Sequence, residues 1–252
     1  MVPSRDLTGL QDKIAELGGL GYPFVVVCGE KVDNPRVVYR AARGKFDAIN
    51  FGLQFAPSDV EFIALNDVDT CIHNFPSALS LMKDGSIDLV FARVDVGSGP
   101  QLSFYSFLDA LRKRVPIAAS GELMLIRREV FDDILPLEPC KAEDSYILFR
   151  VLEKGGKVAF SEKCYVTTKR TSLSQEEEAY KRRTVGGIYQ ALSMSKPPAL
   201  VRLFYLLLPF VSPMLLVSGR NGYHWVKGIL LGFVDYLRGD RAASWKPSYG
   251  QR

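Results

Sequence analysis

Phe62-Ile63-Ala64-Leu65-Asn66-Asp67-Val68-Asp69-Thr70 is the stretch on which the fold of this chain turns. The apolar run Phe62 to Leu65, flanked by polar residues, reads as a short buried strand. Its carboxylates then emerge at a strand's C-terminal end. In open α/β sheets that is where connecting loops diverge and leave a crevice for ligands. Two carboxylates one residue apart in a turn can converge on a hard divalent cation, Mg2+ or Mn2+, with water and substrate phosphate filling its other positions. The competing reading makes Asp67 and Asp69 caps for a helix starting near Pro76.

Outward from this strand, helical and strand patterns alternate. Leu7, Leu10, Ile14 and Leu17 recur at helical spacing between Ser4 or Asp6 as a cap and the stop Gly18-Gly19. Strands are expected at Phe24 to Cys28 and Arg36 to Tyr39, and a helix runs from Gly44-Lys45 through Ile49, Leu53 and Phe55. Helix Pro76 to Met82, strand Asp88 to Ala92, helix Ser103 to Arg114 and strand Glu122 to Ile126 continue the pattern. An α/β fold with a mainly parallel sheet flanked by helices is the expectation.

A second acidic pair, Glu143-Asp144, precedes a helical pattern at Ser145 to Lys154 that ends at Gly155-Gly156. At a helix N-terminus the macrodipole favours negative charge, so these residues read either as caps or as an ionised general base beside the metal-binding turn.

The chain has 252 residues, a formal net charge of +4 and 47% hydrophobic residues, as expected of one globular domain with an appendage. A charge of +4 without interleaved basic and aromatic residues is no footprint for nucleic acid. Cys28, Cys71, Cys140 and Cys164 lack metal or redox spacing, which suggests reduced structural thiols in a cytosolic setting. His73 and His224 are too few for a His-based metal site. Met1 to Gly21 shows no apolar signal-peptide core.

Composition shifts near residue 196, dividing residues 1–195 from an apolar appendage at 196–252. Ala199 to Ser218 is close to bilayer-crossing length, Gly219-Arg220-Asn221-Gly222 reads as a turn, and Tyr223 to Leu237 is a second apolar stretch. A helical hairpin that spans or lies on a membrane is expected, or else a soluble pair of helices. Lys196 and Arg202 before it and Arg238, Arg241, Lys246 and Arg252 after it put both ends on the cytoplasmic side.

In order along residues 20 to 190, these segments resemble the family-2 inverting glycosyltransferases of the GT-A fold. Gly44-Lys45-Phe46-Asp47-Ala48-Ile49-Asn50-Phe51-Gly52-Leu53 is similar to the family's helix near the nucleotide. Asp67-Val68-Asp69-Thr70 is similar to its D-x-D-T metal motif, and Gly121-Glu122 opens a segment like the strand lining the acceptor cavity. Ala142-Glu143-Asp144-Ser145, with Gly155-Gly156-Lys157-Val158, resembles the helix that carries the base.

The resemblance implies a nucleotide-diphosphate sugar donor and a divalent cation held by Asp67 and Asp69. It implies Asp144 as base, and Gly121, Glu122 and Glu143 around the donor sugar and acceptor. Lys45, Asp47, Arg182 and Arg183 would face the nucleotide diphosphate. A lipid-linked or polysaccharide acceptor at the cytoplasmic membrane face fits the apolar appendage.

Two departures stand out. The family's opening apolar strand is missing, by truncation or divergence, leaving Glu30 as the acidic candidate for the nucleoside. Cys28 to Arg36 is too short for an ordinary parallel crossover. The alternatives are a non-catalytic scaffold or partner subunit, and a nucleotidyltransferase of related architecture, although a Gly-rich phosphate loop after an N-terminal strand is lacking.

Overall fold

The structure, a computed structural model, describes residues 1–96, 102–168 and 174–239. Arg241, Lys246 and Arg252 of the basic tail lie outside the described residues. The chain forms two compact units. The first contains Met1–Asp95, Ala119–Pro139 and Gly156–Lys169, and the second Val96–Ala118, Cys140–Gly155 and Arg170–Arg252.

In the first unit, a three-stranded parallel sheet joins β1 (Val2–Ser4), β2 (Val26–Cys28) and β3 (Val37–Tyr39) in that order. Helix α1 (Leu10–Gly19) follows β1, and Val2, Leu10, Leu17, Val26, Cys28 and Val37 form their common core. A strand thus stands ahead of α1, correcting the expectation that the opening strand is missing. Met1-Val2-Pro3-Ser4 is too short for an alternating pattern, and Pro3 suits only an edge position, which β1 occupies in this sheet.

The predicted cap is also corrected. Ser4 belongs to β1, Asp6 accepts the Thr8 N–H at 3.0 Å, and Gly9 in the left-handed region (φ 69°) precedes the helix. Nor is the link from β2 to β3 too short for a parallel pair. Strands of three residues are about 10 Å long, and the residues between them need retrace only that distance.

The second sheet has the order β4–β7–β6–β8–β5, with β4 at Phe62–Asn66, β5 at Thr70–His73, β6 at Leu89–Asp95, β7 at Leu123–Arg127 and β8 at Val158–Thr168. Only β6 and β8 pair in parallel; β4–β7, β7–β6 and β5–β8 are antiparallel. The sheet is therefore mixed, which corrects the expected mainly parallel sheet. Leu123 to Ile126 are all at most 1% exposed, so both faces of β7 are covered. A strand buried on both faces is a continuous apolar run whichever way it points, and its direction leaves no mark in the pattern. Helices α2 (Lys45–Gly52) and α3 (Phe75–Lys83) complete the elements that position the site.

The second unit is helical: α4 (Leu102–Arg112), α6 (Glu143–Glu153), α7 (Ser174–Ser193), α8 (Ala199–Val211) and α9 (Gly219–Leu237), α5 being Arg128–Asp132 of the first unit. The expected turn at Gly219 to Gly222 lies instead in the first turn of α9. A 3-10 segment at Ser212–Ser218 connects it to α8. Gly222 is needed there because a Cβ would lie 1.8 Å from the Leu215 carbonyl oxygen. Along most of its length α9 packs on α7 rather than pairing with α8.

Candidate active site

Asp67 and Asp69 sit on the turn between β4 and β5. They do not cap α3, whose N-terminus is preceded by Asn74 and has no side-chain cap. The Asp67 N–H donates to the Glu122 carbonyl at 3.1 Å, placing the turn beside the start of β7. Lys45, in the first turn of α2, forms an ion pair with Asp67 Oδ1 at 2.7 Å and donates to the Gly121 carbonyl at 3.3 Å. Lys45, Asp67, Asp69, Gly121 and Glu122 are thereby brought together by the first unit. Burial pushes the Asp67 carboxyl up to about 6; Lys45 counters this, while the charges of Glu122 and Asp69 add to it. Negative charge is crowded here, and one lysine offsets only part of it.

Beneath the turn lies a polar network that the sequence did not announce. Lys13 is 2% exposed, and its ammonium donates to Asn66 Oδ1 at 2.8 Å and to the Thr70 carbonyl at 2.5 Å while pairing with Glu16 at 2.7 Å. Asn66 Nδ2 donates to Thr70 Oγ1 and to the Glu122 carbonyl, and Thr70 Oγ1 donates to the Asp67 carbonyl at 2.9 Å. Glu16 also accepts the Ile72 N–H. Both ends of the acidic turn are thus tied to one buried cation. A buried charge survives only when its hydrogen bonds are met, and here they are met by the backbone and side chains that shape the turn. The available signal was Lys13 itself, three residues after Leu10 and four before Leu17, on the apolar stripe of α1.

The ends of the small sheet supply a second polar group. Gly29 N–H donates to the Ser4 carbonyl at 3.0 Å, so the segments after β1 and β2 run side by side and bring Arg5 and Asp6 near exposed Glu30. Arg5 was not foreseen, and Asp6 was read as a helix cap, because β1 gave no pattern. Asp47, on α2, is gripped by Arg40 through two hydrogen bonds of 2.8 Å, which hold its carboxyl below the usual range.

The remaining candidates belong to the second unit. Glu143 and Asp144 form the first turn of α6, and neither is its N-cap, a position held by Ala142. Asp144 Oδ1 instead accepts the Ser145 N–H at 2.7 Å. Arg182 is bound to Asp235 at 2.5 and 2.8 Å. The Arg183 guanidinium lies 5.7 Å from the centre of the Tyr180 ring, and its Nε is buried without a hydrogen-bond partner.

Among the described residues, no group of three or more His, Cys, Asp or Glu side chains could by itself hold a metal. Two carboxylates with crowded negative charge fit Mg2+ or Mn2+, which take hard oxygen ligands and commonly share them with substrate phosphates and water. The thiols fit no such role. All four cysteines are unpaired, and burial pushes Cys140 up to about 12 and Cys164 to about 11.

No protein-family model matches the chain, and no curated protein sequence matches it. Solved structures do. A mannosyltransferase from Pyrobaculum calidifontis, PcManGT, in complex with GDP-Man and Mn2+, has a TM-score of 0.70 at 17% identity, covering 94% of this chain and 85% of that one. TarS of S. aureus has a TM-score of 0.55 at 14% identity, over 83% of this chain and 43% of that one. GalNAc-T7 with UDP, GalNAc and Mn2+ has a TM-score of 0.53 at 15% identity, over 94% and 53%. The chain therefore shares the fold of these glycosyltransferases, built here around a mixed sheet.

Proposed function

We propose that the protein is a metal-dependent, inverting glycosyltransferase. It moves a sugar from a nucleotide-diphosphate donor to a lipid-linked or polysaccharide acceptor at the cytoplasmic face of a membrane. The observation that carries this reading is the Asp67–Asp69 turn, shaped from below by Lys13 and faced by Lys45, in a fold shared with transferases solved with GDP-Man and Mn2+ or with UDP, GalNAc and Mn2+. Residues 1–195 would form the catalytic part and residues 196–252 the membrane-associated part.

In this reading Asp67 and Asp69 hold the divalent ion. When bound, the ion supplies positive charge against the donor diphosphate as it leaves. Lys45, paired with Asp67 in the structure, would turn to a phosphate oxygen of the donor, and the Arg183 guanidinium suits phosphate geometry. Glu30 and Asp47 belong to the nucleoside side, and Gly121, Glu122 and Glu143 to the sugar and acceptor side. Asp144, at the positive end of α6, takes the proton from an acceptor hydroxyl as the oxygen attacks the anomeric carbon in a single displacement. Were the acceptor a lipid phosphate, already anionic, Asp144 would orient it instead.

Calorimetry with UDP- and GDP-sugars, with and without Mn2+, tests the reading. Mn2+-dependent binding of one of them is expected; binding of neither would sink it in favour of a non-catalytic relative.

A further inference from the structure

Among the described residues, Ala199–Leu237 is the one helical stretch long and apolar enough to cross a bilayer. Its packing within the second unit points to a different use. On α8, Val201, Tyr205 and Pro209 are buried, and Ser212 continues the same stripe. The Tyr205 hydroxyl donates to the Ile117 carbonyl at 2.7 Å, and the Tyr189 hydroxyl donates to the Tyr205 carbonyl at 2.7 Å. One side of α8 is thus fixed to protein along its length. The other side is bare: Leu206 is 65% exposed, Phe210 75%, Met214 74% and Val217 92%, with Leu203 and Leu207 beside them. α8 has 13 residues, about 20 Å, and the seven 3-10 residues after it add about 14 Å, so it is the protein-bound stripe along one side, not length, that argues against crossing.

Helix α9 is no better suited to lipid. Glu178 of α7 pairs with His224 and Lys227, and Arg182 of α7 with Asp235, so charged pairs occur along its length. A Cβ on Gly228 or Gly232 would lie 2.7 Å from the Glu178 carbonyl or 2.5 Å from the Arg182 carbonyl. The G-x-x-x-G spacing that could pair helices within a bilayer is already filled by α7.

We infer that α8 and the 3-10 turn after it lie flat in the surface of an anionic bilayer, inserting their bare apolar face without crossing. This deepens the membrane attachment proposed above and is independent of the donor chemistry. Charge selects the partner. Residues 196 to 234 contain no Asp or Glu, while Lys196, Arg202 and Arg220 are exposed around the apolar face, positioned for anionic headgroups. A membrane meeting α8 from the side satisfies the apolar face, the cations and the protein-bound stripe together.

The test is sedimentation of the full chain with phosphatidylcholine vesicles, with and without phosphatidylserine, followed by extraction of the pelleted protein in alkaline carbonate. Binding to the serine-containing vesicles, weakening in high salt and release by carbonate are expected. Leu206→Glu with Phe210→Glu should lower binding at least roughly 10-fold while leaving the thermal midpoint and Mn2+-dependent donor binding in place. Resistance to carbonate would overturn the inference in favour of a spanning segment. Absence of vesicle binding, with a dimer in light scattering that the double substitution dissociates, would overturn it in favour of a second copy. Vesicle binding without any donor binding would leave it standing and remove the glycosyltransferase reading.

Discussion

The two acidic motifs resemble each other in sequence and are held in opposite ways. Asp67 is half-buried beside Asp69 and Glu122, and burial pushes its carboxyl up to about 6 although Lys45 pairs with it at 2.7 Å. Asp144 stands in the first turn of a helix, accepting a backbone N–H at 2.7 Å where the macrodipole already favours its charge. The first site is electrostatically incomplete and gains from a cation. The second is supported by its own helix N-terminus and a backbone N–H. Two carboxylates at the ends of elements can thus sit in opposite electrostatic settings, and the proposed roles of metal ligand and base follow that difference.

Removing a carboxylate from the incomplete site should have the largest effect. Asp69→Asn is expected to abolish Mn2+-dependent donor binding in calorimetry; unchanged affinity with and without chelator would erase the distinction between the motifs. Asp144→Asn should spare that binding and lower turnover onto a hydroxyl acceptor by roughly 10²–10⁴-fold. Full turnover in this variant would exclude the base role.

Lys13→Met tests how the first turn is shaped. It leaves Glu16, Asn66 and the Thr70 carbonyl without their buried cation, so a stability loss of about 3–5 kcal/mol is expected in urea unfolding. The remaining folded protein should bind Mn2+ about 10–100-fold more weakly. Unaltered metal affinity would reduce Lys13 to a core residue.

The smallest effect concerns Asp47. Its carboxyl lies below the usual range in the folded protein because Arg40 donates two hydrogen bonds to it. That contribution is present above the unfolded carboxylate pKa and is lost as pH falls through the lower folded value. Asp47→Asn should therefore lower the thermal midpoint slightly at neutral pH and less at about pH 3, the pair being partly exposed. An equal decrease at both values would assign Asp47 a packing role.

The elements that carry the candidate site are largely legible in the sequence. Phe62 to Leu65 forms a strand, Lys45 opens a helix and Glu143-Asp144 begins another, since apolar runs and glycine stops act within a few residues. What escaped has a common cause. β1 has three residues, β5 (Thr70-Cys71-Ile72-His73) has no apolar run and β7 has no directional pattern; each exists because a neighbour distant in sequence completes its hydrogen bonds. Lys13 lies 53 residues from Asn66, and nothing near either residue foretells their contact.

By itself the sequence determined where most of the helices and longer apolar strands form and which carboxylates stand at their ends, because propensity, periodicity and charge are properties of neighbours along the chain. Only the tertiary structure decided that the second sheet is mixed, that a buried lysine ties down the acidic turn, and that α8 keeps one apolar face bare. Strand direction, burial of a charge and coverage of a face depend on segments arriving from elsewhere, and their free energy exists only once the chain has closed around them.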